Sequence, residues 1–571
     1  MFVRLSISFL LWLGMLCSLL GQTNYELPTW KKGSLNFNVL PSTEIHFDDF
    51  ANNDLNNAEV LQSIIDDFTH QDSLLLIHFS DKEYFFDQTI ELKSNIHLKG
   101  YSSSFSFDLQ GSIKDCISIT GNYAEDSLSI SGPLFKGDNI ITSDLADQFS
   151  QGDMIYLREK DNSLISSDWA LGSSGQLLEV SSISTGHIHL QNPLRRNYEN
   201  DFGQKLILIH PIENVRISGI RVERLDSTTQ QCSNILFRFA RNCQIDCIES
   251  YSCNFAHVSI EYSNNIQVQN SFFKDGHTYV SGGRAYGIAL HFASGECLVE
   301  NNIFEHLRHS VLLQAGANGN IVAYNYSLDP YWEQFPFPEN SAGEFVLHGN
   351  YPYANLFEGN VMSNLVADES HGLNGPDNTF FRNRIENGFV LILPSISQLH
   401  LIHNIAQNIL YSNGSSTGLI ESNLFNETII GTQANNAYSN SLYQDTEPVF
   451  FSNFNYPPVF PDVSAFDNTL PAQHRYPEGY KTECQVPINT QATEKAKKTN
   501  ALIIQPNPCT DFFMLNSQED IVGLNLVSME GRIKALRPVK HQSTAGLSAG
   551  LYFIRIQYSS GRREVQKLVI Q

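Results

Sequence analysis

The sequence predicts an all-β protein whose central part is a solenoid of short, stacked strands. One pattern, an apolar strand and a turn followed by an Asn among apolar residues, returns eight times between about residues 232 and 426. The repeats lie 19 to 35 residues apart when the shared position is placed at Cys247, Asn270, Asn301, Asn325, Asn360, Asn383, Asn404 and Asn423. A coil of this length cannot bury its own apolar face and must stack on the next coil. The 23 Tyr and 37 Phe of the chain also favour strands over helices.

The recurring Asn is suited to a tight corner of each coil. Its side chain can hydrogen bond to the neighbouring coil, and Asn tolerates the left-handed backbone conformation that such a corner needs. We therefore expect a ladder of Asn side chains along one corner of the solenoid.

Composition sets the size and excludes one class of partner. A chain of 571 residues exceeds the size of a single core, so we expect two or more domains. The 36 Lys and Arg against 60 Asp and Glu give a formal charge of −24, which argues against nucleic acid as a partner because its phosphates are repelled. We expect a monomer.

The N-terminal residues 1–21 predict a secretory signal peptide, because one early Arg and a short apolar stretch precede a small residue. The segment is too short for a membrane span, and none is predicted elsewhere. The mature chain keeps eight of the nine cysteines, since Cys17 lies in the signal peptide. Cys232 and Cys253 lie about one coil apart, so a disulfide between them is permitted outside the cytoplasm. Buried free thiols are the alternative.

Four further segments follow in order before the C-terminal unit. Residues 22–109 predict an N-terminal cap with the first coils, because Ala58, Leu61 and Ile65 recur at helical spacing behind Asn56. Residues 110–212 interrupt the repeat with strands separated by Gly and Asn turns, which predicts an inserted β-module. The main solenoid covers residues 213–480, and residues 481–497 form a linker.

The last segment, residues 498–571, predicts a small β-sandwich. Pro506-Asn507-Pro508, Gly531-Arg532, Gly550-Leu551-Tyr552 and Lys567-Leu568 occur there in this order. On these motifs the segment closely resembles the C-terminal sorting domain of the type IX secretion system of Bacteroidetes. The resemblance implies export across both membranes, with the secretion machinery as a partner, and a final location at the cell surface or outside the cell.

The solenoid, over residues 213–480, resembles the right-handed parallel β-helix of the pectate-lyase-like superfamily. The handedness also follows from the general rule for parallel crossovers. The resemblance implies a polysaccharide as substrate, often an acidic one, but a fold does not determine a reaction. The reaction must therefore be argued from a site.

Aligning the strand that precedes each Asn gives two columns of side chains, because alternate residues of a strand face opposite sides. The inward column is apolar and consists of Phe237, Ile260, Leu290, Leu313, Leu347 and Leu373. The outward column is polar and consists of Arg238, Glu261, His291, Gln314, His348 and Asn374, after which the strand GFVLIL places Leu393 in it. Successive strands lie about 4.8 Å apart, so His291 and His348 are expected about 10 Å apart.

The two longest coils are expected to carry loops that wall the outward column. They contain five aromatic residues that offer platforms for sugar rings or pack the loops onto the solenoid: Tyr279, Tyr286, Tyr331, Trp332 and Phe335.

We interpret the outward column as the floor of a groove for an extended glycan. β-Elimination at a uronate needs a cation to neutralise the carboxylate, a base for the C5 proton and an acid for the leaving oxygen. Arg308 is the candidate cation, and His291 or His348 is the candidate base or acid. Glu261 and Asp368 are candidate ligands for Ca²⁺, the one cofactor that the sequence suggests. Arg238, Gln314, Asn374, Tyr286, Trp332 and Arg382 are the candidate substrate-binding residues, whereas His371 falls in the inward register and is expected to be structural.

Three functions remain open on the sequence. The first is a lyase or epimerase acting on a polyuronate. The second is a glycoside hydrolase, which needs two carboxylates, and Glu261 with Glu358 or Asp368 are the candidates. The third is a surface adhesin or carbohydrate binder without catalysis.

Overall fold

The computed structural model describes most of the chain, with gaps at residues 1–26, 36–41, 52–55, 69–72, 200–202, 280–281, 332–342, 394–397, 407–408, 412–417, 426–427, 433–439, 455, 457–468, 487–502, 506–508, 518–519, 529–532 and 560–562. The predicted signal peptide, Trp332 and Phe335 lie outside the described residues. The chain divides into two compact units, Met1–Val486 and Pro487–Gln571. No described helix is long and apolar enough to cross a membrane.

The first unit is a right-handed parallel β-helix, as the sequence predicted. Its first coils contain β1 (Ser42–His46), β2 (Leu74–Phe79), β3 (Glu83–Phe86), β4 (Ile90–Glu91), β5 (Ile96–Phe107) and β6 (Ile117–Thr120). Helix α1 (Asn57–Asp67) begins as predicted, with the side chain of Asn56 accepting the Ala58 N–H at 2.8 Å. It buries Ala58, Leu61 and Ile65 in the same core as these strands.

A separate antiparallel sheet interrupts the β-helix. We call this segment, residues 122–210, the inserted module. Its strands are β7 (Asn122–Ser129), β8 (Ile140–Thr142), β9 (Met154–Arg158), β10 (Gln176–Ser184), β11 (His187–Leu190) and β12 (Lys205–His210). They pair in the order β7-β12-β9-β10-β11-β8 and enclose an apolar core of their own. The module therefore is a domain-like insertion between two coils.

The helix resumes with strands that pair in parallel with the strand one coil later. These strands are β13 (Ile212–Glu213), β14 (Arg216–Arg224), β15 (Ile235–Arg238), β16 (Ala240–Asp246), β17 (Glu249–Cys253), β18 (Ala256–Glu261), β19 (Asn264–Gln269), β20 (Phe272–Gly276), β21 (Tyr286–His291), β22 (Leu298–Glu300), β23 (Ile303–Glu305), β24 (His309–Leu313), β25 (Ile321–Ala323), β26 (Tyr326–Leu328), β27 (Phe345–Leu347), β28 (Leu356–Glu358), β29 (Val361–Ala367), β30 (Thr379–Phe381), β31 (Arg384–Ile392), β32 (His400–Ile402), β33 (Ile405–Ala406), β34 (Ile409–Tyr411), β35 (Ile420–Glu421), β36 (Asn423–Phe425) and β37 (Thr428–Ile430). The last two pair antiparallel.

The inward apolar column is correct up to Leu347 and wrong at its last member. Phe237, Ile260, Leu290, Leu313 and Leu347 are fully buried and lie in register from strand to strand. Leu373 is instead 47% exposed. Ala367 takes its place, because β29 runs on to pair Leu347 with Ala367 before the segment SHGLNG begins. The sequence pattern of that segment resembles a strand, but the segment lies beyond the strand.

The Asn ladder forms, with a shift of one residue in the early coils. Asn side chains donate from Nδ2 to Oδ1 of the next coil at 2.9–3.0 Å, in the order Asn302, Asn325, Asn360, Asn383, Asn404 and Asn423. The predicted Cys247, Asn270 and Asn301 lie one residue earlier, at the left-handed corner with φ of 56°, 59° and 55°. A second ladder, unpredicted, joins Asn320, Asn355 and Asn378.

The disulfide is Cys247–Cys484, and Cys232 and Cys253 are buried free thiols. The pairing that the sequence permitted does not form, because the partner of Cys253 in the next coil is Gly276 and Cys232 is offset beside Phe255. The bond holds the segment after helix α2 (Pro471–Arg475) to the solenoid. Earlier in the chain, Tyr443 also contacts the solenoid, because its hydroxyl donates to Glu300 at 2.6 Å.

The second unit is a small β-sandwich, as predicted. One sheet consists of β38 (Ile503–Gln505), β39 (Phe512–Asn516) and β42 (His541–Ser543). The other consists of β40 (Ile521–Ser528), β41 (Ile533–Leu536), β43 (Gly550–Tyr558) and β44 (Arg563–Ile570). Residues of both sheets, such as Phe513 and Ile554, share one buried core.

Candidate functional site

One ladder of parallel strands carries the predicted polar column. Arg238 is paired with Glu261, and Glu261 is paired with His291. Gln314 and His348 follow the paired residues Leu313 and Leu347 of the next two strands. The alignment of these five residues is therefore confirmed, and His291 and His348 stand two strands apart.

The last member of the column is Asp368 rather than Asn374. Asp368 follows Ala367, the partner of Leu347, so it lies one strand beyond His348. Asn374 is buried in a turn, where its side chain accepts the Gly349 N–H at 3.0 Å and donates to the carbonyl of Asp368 at 2.7 Å. The prediction that Asn374 joins the column is wrong for the same reason as for Leu373.

We call the corrected set of six residues the site column. All of them except Asp368 line a cavity of about 560 Å³, which we call the site cavity. Seven of the ten predicted site residues line this cavity: Arg238, Glu261, Tyr286, His291, Arg308, Gln314 and His348. The other lining residues were not predicted to belong to it, and they include Asp115, Trp169, His309 and His371.

The column is covered rather than exposed on an open groove. Glu261, His291 and Gln314 are buried, with at most 8% of their surface exposed. Trp169, in the one-turn helix Asp168–Ala170 of the inserted module, lines the same cavity. The sequence could not show this cover, because Trp169 lies in the module, outside the repeat that aligns the column.

A charged cluster forms at the start of the site column. Arg238 donates from Nε to Oε2 of Glu261 at 2.7 Å, and Nε2 of His291 lies 3.4 Å from Oε1 of Glu261. The hydroxyl of Ser259 lies 2.9 Å from the same His291 nitrogen. Burial alone raises the pKa of Glu261, but His291 and Arg238 outweigh it and lower that pKa to about 2. Glu261 is therefore ionised at neutral pH.

The geometry of His291 does not suit a base. Its Nε2 is occupied by Ser259 and Glu261, and its Nδ1 is buried with no hydrogen-bond partner among the described residues. Gln314 on the next strand likewise has a buried Oε1 without such a partner. Two adjacent side chains of the column thus carry buried polar atoms that the described protein does not satisfy.

The second charged cluster is a His–Asp pair. Nδ1 of His348 lies 2.8 Å from Oδ2 of Asp368, and Asp368 also accepts the Ser370 N–H at 3.0 Å. Burial raises the pKa of Asp368, yet the charge and hydrogen bond of His348 outweigh it and hold that pKa below its usual value. Nε2 of His348 makes no hydrogen bond to the described residues, and the side chain lines the site cavity.

Two further histidines surround His348. The rings of His309 and His371 lie 5.3 Å and 5.0 Å from it, centre to centre. Burial lowers the pKa of His309 to about 3 and lowers the pKa of His371, and in both cases the charge of His348 adds to the effect. His371 does not take the inward register that the sequence predicted, since it forms part of the cavity wall.

Arg308 and Tyr286 also line the site cavity. Arg308 donates from Nη1 to the carbonyl of Tyr279 at 3.1 Å. Tyr286 is buried, accepts the Gly283 N–H at 2.9 Å and packs its ring 4.7 Å from that of His309. Its ring is therefore a wall element rather than an exposed platform.

Two other predicted residues lie elsewhere. Arg382 is buried at the left-handed corner, with its guanidinium 4.5 Å from the centre of the Phe381 ring. Glu358 is fully buried and accepts the Tyr324 hydroxyl at 2.9 Å. Neither lines the site cavity. The alternation of apolar and polar residues does not show whether a polar side chain at a corner of a coil points into the protein or towards the cavity.

The two candidate Ca²⁺ ligands cannot share an ion. Glu261 and Asp368 are four strands apart on the ladder, which corresponds to roughly 19 Å. Each is also bonded to a histidine. Among the described residues, no group of three or more His, Cys, Asp or Glu is placed to hold a metal ion.

Asp115 is the residue that sequence reasoning missed most clearly. It lies next to the first coil strand β6, outside the repeat, and its Oδ1 accepts the Ser233 N–H at 2.6 Å. Burial raises its pKa, and the negative charge of Glu261 raises it further. The site cavity thus contains one carboxyl with a raised pKa and one with a lowered pKa.

Residues 503–571 match the family described as the secretion system C-terminal sorting domain. The protein is therefore exported by the type IX secretion system, to the cell surface or beyond. No curated protein matches the chain as a whole.

Several solved structures are similar to this chain over about two thirds of its length. The tailspike protein gp49 of Pseudomonas phage LKA1 is 15% identical with a TM-score of 0.47, over 65% of this chain and 64% of that one. The tailspike of E. coli bacteriophage HK620, in complex with a pentasaccharide, is 10% identical with a TM-score of 0.36, over 70% and 69%. PfbA, a surface adhesin of Streptococcus pneumoniae, is 12% identical with a TM-score of 0.35, over 67% and 88%. The chain spans less than two thirds of the Pseudomonas phage tailspike.

Proposed function

We propose that this exported protein is a polysaccharide lyase that cleaves an acidic, uronate-containing glycan by β-elimination in the site cavity. The observation that carries the proposal is the His348–Asp368 pair. Asp368 binds Nδ1 of His348 and so leaves Nε2 as the only nitrogen of that ring that can take a proton. A buried carboxylate that fixes the tautomer and stabilises the imidazolium is the usual support of a histidine base.

The reaction uses this base on the carbon next to the substrate carboxylate. Nε2 of His348 takes the C5 proton, the electron pair forms the C4–C5 double bond, and the bond from C4 to the glycosidic oxygen breaks. Arg308 neutralises the carboxylate, which lowers the energy of the intermediate negative charge. The imidazolium of His348 then gives this proton to the leaving oxygen, so that the same side chain serves first as base and then as acid.

The Arg238–Glu261–His291 cluster then has a positioning role. Glu261 and His291 are bonded to each other and to neighbours, so neither has a free proton-transfer site. Arg238 is paired with Glu261 but keeps 42% of its side chain exposed at the cavity. It supplies a second positive group for an acidic chain, one that Glu261 holds in place.

The test is an activity screen of the full chain against alginate, pectin, ulvan and glycosaminoglycans. We expect an unsaturated product that absorbs in the ultraviolet from at least one acidic glycan, and its loss in His348→Ala. His306→Ala is the matched control, because His306 also pairs with an aspartate, Asp329 at 2.9 Å, outside the site cavity. Activity that survives in His348→Ala, or the absence of an unsaturated product from every glycan, would overturn the proposal.

Hydrolysis is the second candidate, and one observation favours it. Asp115 and Glu261 are two carboxyls in one cavity whose pKa values are displaced in opposite directions. Such a pair serves as proton donor and charged partner in glycoside hydrolases. New reducing ends without an unsaturated product, lost in Asp115→Asn and in Glu261→Gln but kept in His348→Ala, would establish it in place of the lyase.

A further inference from the structure

The inserted module contacts the β-helix through a row of aromatic rings. Phe239, Tyr262 and Phe292 each follow a residue of the site column and stack on one another, with ring centres 5.2 Å and 5.4 Å apart and planes within 16°. Each ring of this stack meets one aromatic residue of the module. Tyr123 lies 5.3 Å from Phe239, and Trp169 lies 5.8 Å from Phe292. Tyr156 makes the middle contact with Tyr262, at 5.8 Å.

The three stacked residues have an uncommon backbone conformation. Phe239, Tyr262 and Phe292 have φ of 50°, 45° and 51°, in the left-handed region that large side chains rarely adopt. Residues in this region cost on the order of 1 to 3 kcal/mol each and persist only where surrounding structure fixes them. The ring contacts of the stack offset this conformational free energy. The same contacts hold the module over the site column.

The loop that carries Trp169 is held firmly at both ends. The N–H groups of Ser166 and Ser167 both donate to Oδ1 of Asn350, at 3.0 Å and 3.1 Å. Asp161 accepts the Gly172 N–H at 2.8 Å and the Ser174 N–H at 3.0 Å. A loop with this many bonds presents its central side chain in a defined orientation.

Trp169 itself is held by ring edges and is otherwise open. Its ring meets Phe292 at 87° and His371 at 85°, both edge to face. It nevertheless remains 48% exposed while it lines the site cavity. A large aromatic ring that is held in place, remains half exposed and lines a cavity beside polar groups is available to contact a ligand. The polar groups of His348, Arg308 and Gln314 line the same cavity.

We propose that Trp169 is the platform on which a sugar ring of the glycan stacks, so that the inserted module determines which glycan the site accepts. A pyranose has an apolar face of C–H groups and a rim of hydroxyl groups. Trp169 contacts the face, while the residues of the cavity wall bind the rim and the carboxylate. This inference rests on the proposed function for the acidic nature of the glycan, but stacking itself needs only a pyranose ring.

The experiment measures binding and not turnover. Trigalacturonate, trimannuronate and the neutral cellotriose are titrated into the full chain while tryptophan fluorescence is followed, and the affinities are confirmed by calorimetry. We expect at least one uronate trimer to change the fluorescence. We expect Trp169→Ala to weaken its binding about tenfold or more, and Trp169→Phe to retain most of the affinity because it keeps an aromatic face.

The control is Phe50→Ala, an exposed aromatic residue of the N-terminal cap with 49% of its surface accessible. It should bind as the parent does, and all variants should share the parent's melting temperature. Equal affinity of Trp169→Ala and the parent, or no fluorescence change with any of the three sugars, would overturn the platform. Loss of binding in Trp169→Ala without any unsaturated product from the parent would keep the platform and reject the lyase. Lyase activity in the parent, together with unchanged binding in Trp169→Ala, would keep the lyase and reject the platform.

Discussion

His348 and Asp368 are joined by a hydrogen bond of 2.8 Å between Nδ1 and Oδ2, although no sequence motif links them. The bond exists because β27 and β29 are neighbours in the ladder, which places position 368 beside position 348. Asp368 is buried and bonded to His348, so the pair acts as one unit.

Replacing Asp368 with Asn should reduce turnover strongly with little effect on binding. The amide has no charge to stabilise the imidazolium and favours the wrong tautomer of His348, which costs a histidine base about a hundredfold to ten-thousandfold in kcat. KM should change only a few-fold, since Asp368 is buried behind His348. Steady-state kinetics on the glycan that the screen identifies will check this.

Asp329→Asn is the matched control for that variant, because it alters an exposed His–Asp pair on the same solenoid. We expect its kinetics to equal those of the parent. A fall in kcat of less than tenfold in Asp368→Asn would contradict the assigned role of the pair.

Glu261 should make stability depend on pH at the acidic end. Its pKa falls from 4.5 to about 2 on folding, through His291 and Arg238 and against the effect of burial. A lowered pKa stabilises the fold at pH values above 4.5, which is the pKa of Glu261 in the unfolded chain. This contribution disappears as the pH falls towards 2. The shift corresponds to a contribution on the order of 3 kcal/mol at pH 7.

We therefore expect Glu261→Gln to lower the urea midpoint at pH 7 and to have roughly half that effect or less at pH 3. Glu223→Gln, which alters the exposed pair with Arg221, should leave the midpoint unchanged at both values. An equal loss at pH 7 and pH 3 would show that the ion pair is not the source of the effect.

Glu358 should make stability depend on pH in the opposite direction to Glu261. Burial raises its pKa to about 7, although the Leu442 N–H and the Tyr324 hydroxyl donate to it and oppose the shift. A raised pKa means that the folded state binds the extra proton between pH 4.5 and 7, so stability falls as the pH rises through this window. Glu358→Gln should flatten the dependence of the melting temperature on pH between 5 and 8.

The control for this change is Glu478→Gln, which removes a half-exposed carboxylate near His474. It should leave the slope as it is in the parent. A slope in Glu358→Gln as steep as that of the parent would contradict the raised pKa. Glu344, whose pKa is also raised to about 7, keeps part of the slope in every case.

The sequence predicted the solenoid, the helix α1 and five members of the site column, because these follow from periodicity. Arg238, Glu261 and His291 share one position of a repeat, and stacked repeats must bring equal positions together. The prediction is wrong where the segment SHGLNG has a strand's pattern but follows the strand, because the pattern then points to Asn374 instead of Asp368.

Periodicity also cannot place residues that lie outside the repeat. Asp115 comes from the first coils and Trp169 from the inserted module, and both reach the site cavity only through tertiary packing. Cys484 pairs with Cys247 across 237 residues for the same reason. A contact that depends on how distant parts of the fold pack together has no local signal in the sequence.

The Cys247–Cys484 disulfide provides the last prediction. It closes a loop of 237 residues, and in the chain-entropy view a bond across so long a loop stabilises the fold by up to about 5 kcal/mol. Cys484 lies two residues before the end of the first unit, so the bond also ties the end of that unit to the solenoid. Cys484→Ser should lower the melting temperature by several degrees and expose the segment around residue 484 to limited proteolysis.

Reductant should lower the melting temperature of the parent but not of the variant Cys484→Ser. The control is Cys509→Ser, which removes a buried free thiol of the second unit and should respond to reductant as the parent does. Equal sensitivity of the parent and Cys484→Ser to reductant would contradict the pairing, since no other described cysteines are bonded.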